Sequence, residues 1–343
     1  MRTSAKHLTT YLSISGKVIL MREIFYRDAI NEALDQEMAR DKNVFLIGED
    51  VGVIGGNFKC SVGLLEKYGD MRCKDSPISE AGIVGIGIGA AITGLRPIVE
   101  LMFNDFAMLA MDQICNQAAK ITYMSGGQAR VPLVIRMPFG GGRSSAAQHS
   151  QSFHAWLAHC PGLKVVTPST GAEAKGLLKT AIRDDNPVVF LEHKLLYTKY
   201  FDTPEGDYTI PFGKANIVHE GDKITIAATS IMVLKALQVA KELEQQGIHA
   251  EVIDLRTIVP LDRAAIIESV KKTGRLLIVD EGHESFGISG EIAVSIMKDV
   301  FYFLDAPIIR LGTADVPLPF SPALEFPLIP DEKAIREAVL SIV

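Results

Sequence analysis

Short apolar runs alternate with stretches of helical period along most of the chain. Residues 26–40 (YRDAINEALDQEMAR) space apolar side chains three and four apart, which predicts a helix. Residues 43–47 (NVFLI) read as a buried strand that runs into Gly48-Glu49-Asp50. A helix around Glu80 follows, then a strand at 97–102, an amphipathic helix at 105–120 and a strand at 131–136. After Gly140-Gly141-Gly142 come a helix at 152–160, a strand at 164–167, a helix at 172–183 and a strand at 188–192. Periodicity then fades into Tyr, Pro, Gly and acids. From Ile224 a second alternating unit begins: strand ITIAAT, a helix at 231–246 stopped by Gly247, strand AEVIDL and a helix at 263–272. Strand RLLIVDE, a helix at 290–297, a strand around Ile308 and a closing helix from Asp331 complete it.

Strands this apolar, alternating with helices, predict an α/β fold with mainly parallel sheets covered on both faces. At 343 residues the chain suggests two domains. The expected boundaries are 21–200 for the first, 201–222 for a linker and 223–343 for the second. In open parallel sheets, ligands gather beyond the carboxyl ends of the strands. Three candidate stretches fall there: Gly48-Glu49-Asp50, Met102 through Phe106, and the glycine-rich loop before His149.

The least ordinary stretch is 75–94, DSPISEAGIVGIGIGAAITG. No charge lies between Glu80 and Arg96, and the run is rich in Gly, Ala and Ile. Such a helix lets a second backbone come very near, within the domain or across a subunit interface. Glu80 at its head is either an acid favoured by the helix dipole or a half-buried carboxylate with a task. A dinucleotide fingerprint is excluded because Gly85, Gly87 and Gly89 follow a turn rather than a strand. A membrane span is excluded by length and glycine content.

Net charge is −6 and the isoelectric point is about 5.8, which argues against nucleic acid as a partner and suits a basic one. Four scattered cysteines without a C-x-x-C argue against structural zinc and for a reducing compartment. The first 22 residues hold no acid but carry Arg2, Lys6, Lys17 and Arg22. That composition fits an organellar presequence, or a start upstream of a true initiator at Met21. Residues 1–20 are therefore set aside as a disordered or non-native extension. The location expected is the bacterial cytoplasm, or the mitochondrial matrix if those residues are a presequence.

The loop Gly140 to Ser145 lacks the Lys-Ser/Thr of a phosphate cradle and reads as an active-site loop. His149, His154 and His159 recur at steps of five, which does not suit a metal-binding helix. His149, in the polar patch after the glycines, is the candidate for substrate contact; His154 and His159 read as packing or surface residues. Asp280-Glu281-Gly282-His283-Glu284 ends a strand and reads as a loop of solvated charges.

Taken together, DSPISEAGIVGIGIGAAITGLRPIVELMF, DQICNQAAKITYMSGGQ, AAQHSQSFHAWLAHCPGLKVVTPST and AIRDDNPVVFLEHKLLY resemble one family across residues 22–343. It is the β subunit of the thiamine-diphosphate-dependent first component of 2-oxo acid dehydrogenase complexes, the pyruvate and acetoin dehydrogenase group. The resemblance implies a transketolase-like pyrimidine-binding domain followed by a transketolase C-terminal domain. It makes Glu80 the acid that contacts N1′ of the aminopyrimidine and favours the imino tautomer, so that the imino nitrogen can take the thiazolium C2 proton. It implies that Phe106 stacks on the pyrimidine, that Met102 and Glu49 lie against the cofactor, and that His149 faces the substrate and helps pass the acyl group to lipoyl. Leu133, Ala181, Ile182, Asp184 and Asn186 match a potassium site built mostly from backbone carbonyls.

The Gly-Asp-Gly motif that holds diphosphate and Mg2+ in thiamine enzymes is missing from this chain. The resemblance therefore implies half a site, completed by an α subunit in an α2β2 heterotetramer that docks on a dihydrolipoyl acyltransferase core. It implies decarboxylation of pyruvate with acetyl transfer to lipoyl. Acetoin cleavage is the alternative, favoured by GGGRSSAAQHSQ and EHKLLY. A second alternative is a non-catalytic structural subunit in which Glu80 merely caps a helix.

Overall fold

The structure, a computed structural model, describes residues 11–14 and 17–343. Its strands are β1 (Tyr11–Ile14), β2 (Lys17–Phe25), β3 (Val44–Gly48), β4 (Cys73–Asp75), β5 (Arg96–Glu100), β6 (Val134–Phe139), β7 (Lys164–Val166) and β8 (Val188–His193). They continue with β9 (Tyr200–Pro204), β10 (Asn216–His219), β11 (Ile224–Ala228), β12 (Ala250–Asp254), β13 (Thr257–Val259), β14 (Leu276–His283) and β15 (Ile309–Thr313).

The first domain is built on six parallel strands ordered β7-β8-β6-β5-β3-β4, and β13, from the second-domain part of the chain, adds an antiparallel seventh strand beside β7. β6 and β8 are buried along their whole length, as strands covered on both faces must be. The second domain is a five-stranded sheet ordered β10-β12-β11-β14-β15, with β10 antiparallel at one edge. The α/β architecture and the second-domain elements follow the sequence pattern closely. Side chains that the sequence offers cap its helices: Asp262 accepts from the N–H of Ala265, and Asp331 from that of Ala334.

Two segments differ from expectation. Residues 201–222 are not structureless. β9 pairs with β2, and β10 joins the second sheet, because their partners supply the hydrogen bonds that their weak periodicity does not announce. Residues 105–120 do not form one α-helix. The chain makes a 3-10 helix (Asn104–Ala110), a π-helix (Asp112–Ala118) and an α-helix (Ala119–Met124). The first of these is held by tertiary bonds from Asn104 and Asp105, which i→i−4 reasoning does not anticipate. The expectation for residues 1–20 lies partly outside the described residues; of the rest, Tyr11 pairs with Leu20 and Ile14 with Lys17 across β1 and β2.

The glycine-rich run forms the helix Glu80–Ile92. A Cβ at Gly87 would lie 2.6 Å from Val99 and 3.0 Å from Leu133, so this glycine lets the helix press directly on the sheet. Gly89, on the other face, meets nothing within 4 Å beyond its own helix, and Ile86 beside it is exposed. One small face is thus used inside the domain and the other is left open.

Candidate active site

Three loops leave the carboxyl ends of β3, β5 and β6 and converge with the start of the Glu80–Ile92 helix. Glu80 opens that helix and is only 6% exposed. Glu49, just beyond β3, is 7% exposed. Burial raises the Glu49 carboxyl, and the nearby Glu80 charge adds to it. Glu49 Oε1 is buried without a hydrogen-bond partner, an arrangement that costs free energy unless something else completes it. The two acids that the sequence placed 31 positions apart therefore share one site.

Phe106 and Met102, both half-buried, lie in the turn after β5. Phe106 meets His149 edge to face at 5.4 Å between ring centroids. Phe103 meets both, at 5.1 Å from His149 and 5.8 Å from Phe106. Sequence reading missed Phe103, although it lies within the Met102–Phe106 stretch. His149 closes the short 3-10 turn Ala147–His149. The turn is anchored on its far side: Asp105 accepts from the N–H and the amide of Gln151, and Asn104 accepts from the N–H of Phe153. Ser150 Oγ is buried without a partner beside a cavity of about 560 Å³ between the two domains.

The second domain grips the loop that carries His149. Glu281 accepts from Gly141 N–H at 2.5 Å and from His193 Nε2 at 2.7 Å. Leu195 N–H donates to His193 Nδ1, which fixes the tautomer with the proton on Nε2. Glu325 accepts from the N–H groups of Gly142 and Ser144 at 2.8 Å each. Asp280 accepts from His154 Nε2 at 2.7 Å and from Thr229. Asp280 and Glu281 are thus buried clamps rather than solvated loop charges. Burial opposes their ionisation, yet His154 and His193 hold them below the usual carboxylate range. Gly140 has φ +93°, and a Cβ there would collide with the His193 imidazole. His154 is a packing residue and His159 is exposed.

Lys194 follows β8 and is 3% exposed. Burial lowers its pKa to about 8, against the pull of Asp105 and Glu281. Below the site, Arg136 is fully buried between Glu100 and both oxygens of Glu192, which also accepts from Tyr197.

Leu133, Ala181, Ile182, Asp184 and Asn186 gather at the opposite edge, by the amino ends of β5, β6 and β8. There Leu133 O accepts from Val188 N–H, and Ala181 O accepts from Asp184 N–H. Arg96 donates to the carbonyls of Ile182 and Asp184 at 2.8 Å each. These oxygens already carry a cation, with one lone pair left on each. Among the described residues no group of three or more His, Cys, Asp and Glu is placed to hold a metal ion, and no helix is long and apolar enough to cross a membrane.

This pair of α/β domains, with a buried carboxylate at the start of a helix, is of the transketolase class. Residues 22–199 match the family described as transketolase, pyrimidine binding domain, and residues 213–335 match transketolase, C-terminal domain. A solved structure, a split gene transketolase described as an inactive beta4 tetramer, superposes with a TM-score of 0.78 at 23% identity, covering 93% of this chain and 98% of that one. At the level of the particular protein, the chain is 51% identical over 321 residues to pyruvate dehydrogenase E1 component subunit beta-1, mitochondrial, of Oryza sativa (92% of this chain, 86% of that protein). It is 51% identical over 320 residues to pyruvate dehydrogenase E1 component subunit beta of Rickettsia felis (93% of this chain, 98% of that protein). The chain belongs to the family of pyruvate dehydrogenase E1 component beta subunits, oxidoreductase subunits of thiamine-diphosphate-dependent components.

Proposed function

We propose that this chain supplies the aminopyrimidine half of a shared thiamine diphosphate site and acts with an α subunit to decarboxylate pyruvate and pass the acetyl group to lipoyl. The observation that carries the reading is Glu80, buried at the head of its helix beside Glu49, whose Oε1 has no partner. A carboxylate oxygen without a partner, beside a second buried acid, fits the nitrogen-rich edge of an aminopyrimidine. Bound thiamine diphosphate supplies the carbanion chemistry at the 2-oxo carbon. Glu80 is the residue that holds a shared proton at the ring nitrogen, and Phe106 and Met102 supply an apolar wall. His149, held between two aromatic edges, orients the substrate and serves the acyl transfer step.

The missing Gly-Asp-Gly supports an α subunit that binds the diphosphate with its Mg2+. The open face at Gly89 and Ile86 supports close helix packing in an α2β2 assembly. The net charge of −6 suits docking on a basic segment of a dihydrolipoyl acyltransferase. A potassium ion at Leu133, Ala181, Ile182, Asp184 and Asn186 has to share two carbonyls with Arg96. A rise in unfolding temperature with potassium but not with sodium supports it.

The test is Glu80→Gln in the chain coexpressed with an α subunit, assayed on pyruvate, branched 2-oxo acids and acetoin. Turnover of pyruvate by the native assembly and its loss in the variant, with assembly intact, supports the reading. A near-normal rate in the variant rejects it. Tight binding of thiamine diphosphate and Mg2+ by the chain alone rejects the shared site.

A further inference from the structure

Lys194 is a buried ammonium that makes no ion pair among the described residues. A lysine this deep is ordinarily matched by a carboxylate, because taking an unpaired charge out of water is costly. Asp105, Glu281 and Glu325 pull on it only from longer range, and Arg143 pushes against it. Its contacts are of another kind. Nζ donates to the backbone carbonyl of His149 and stands over the Phe103 ring, 5.3 Å from the centroid. Its own N–H donates to Phe139 O, which fixes the root of the side chain to the end of β6. One side chain thus ties together the strand end, the turn that carries His149 and the ring packed against His149.

We propose that Lys194 is a positioning residue that sets the His149 imidazole through the His149 carbonyl and the Phe103 ring. The proposal deepens the functional reading above and rests on its assignment of His149. A short 3-10 turn has too few internal hydrogen bonds to hold an imidazole by itself. A charged donor on the turn's last carbonyl, strengthened by low local dielectric, supplies the missing restraint. The cation over Phe103 does the same for the ring against which the imidazole leans.

The experiment uses the assembled protein carrying Lys194→Met or Lys194→Arg, each alone and Lys194→Met also combined with His149→Ala. Lys194→Met is expected to lower kcat about 10- to 100-fold, with KM for pyruvate changed less than about threefold. Lys194→Arg is expected to recover a large part of the rate. The double variant is expected to be no slower than His149→Ala alone, because both changes remove one function. Independently of turnover, the His149 ring resonances in NMR are expected to shift and broaden in Lys194→Met while the unfolding temperature of Lys194→Arg stays near native. Unchanged kcat and unchanged His149 resonances in Lys194→Met overturn the proposal, as does a double variant whose losses multiply. A native assembly inert on pyruvate sinks the functional reading instead, and the ring resonances then still decide the role of Lys194.

Discussion

Glu281, at the end of a strand in the second domain, accepts a 2.7 Å hydrogen bond from His193, at the end of a strand in the first. With Glu325 on Gly142 and Ser144, this contact makes the second domain a holder of the loop that leads to His149. The C-terminal domain therefore shapes the site without supplying a residue of the Glu49–Glu80 pair.

Glu281→Ala is expected to destabilise the protein by about 3 kcal/mol, since His193 and the Gly141 N–H are left buried without an acceptor. Urea unfolding of the assembled protein measures it. Glu281→Gln, which keeps an acceptor, is expected to cost less. Equal costs would show that the hydrogen bonds are not the source.

The stability of the His154–Asp280 contact is expected to depend on pH from both sides. Asp280 and Glu281 have lowered folded-state pKa values. Their contribution is complete above the ordinary carboxylate range of about 4 and is lost as pH falls through the lowered values. Burial opposes charge on His154, but Asp280 raises its pKa overall. That contribution is complete below about 6.5 and fades as pH rises through the raised value. Unfolding free energy against pH, native beside Asp280→Asn, checks this: the variant curve should be flatter at both ends.

Arg136→Met is expected to cost about 3–5 kcal/mol, because Glu100 and Glu192 lose their shared guanidinium inside the core. Burial already raises the Glu100 carboxyl even with Arg136 present. A triple change that also neutralises Glu100 and Glu192 as Gln should recover part of the loss. Thermal unfolding distinguishes the two variants.

Gly87→Ala and Gly89→Ala are expected to part company. The first forces a methyl against Val99 and Leu133 and should cost about 1–3 kcal/mol in the isolated chain. The second meets no neighbour and should stabilise the isolated helix by about 0.5–1 kcal/mol. In the proposed assembly Gly89→Leu should weaken association with the α subunit while the isolated chain stays folded. Sedimentation of the mixed subunits reads this directly.

The alternating pattern of apolar runs was enough to specify an α/β protein, the order of nearly all second-domain elements and the carboxyl-end loops where Glu49, Met102, Phe106 and His149 lie. Strand and helix periods are local properties, so they are legible in one dimension. Glu80 stood out for the same reason, as one charge at the head of a long uncharged run. What folding alone decided are contacts between distant positions: Glu49 beside Glu80, Phe103 against His149, Arg136 between Glu100 and Glu192, and the carboxylates of Asp280 and Glu281 turned inward. β9, β10 and β13 belong with these, since an edge strand exists only when its neighbour supplies the hydrogen bonds. Lys194 is the sharpest case. In sequence it is one more charged residue after a strand; only the packing of three loops leaves its ammonium buried, with a carbonyl and a ring for company.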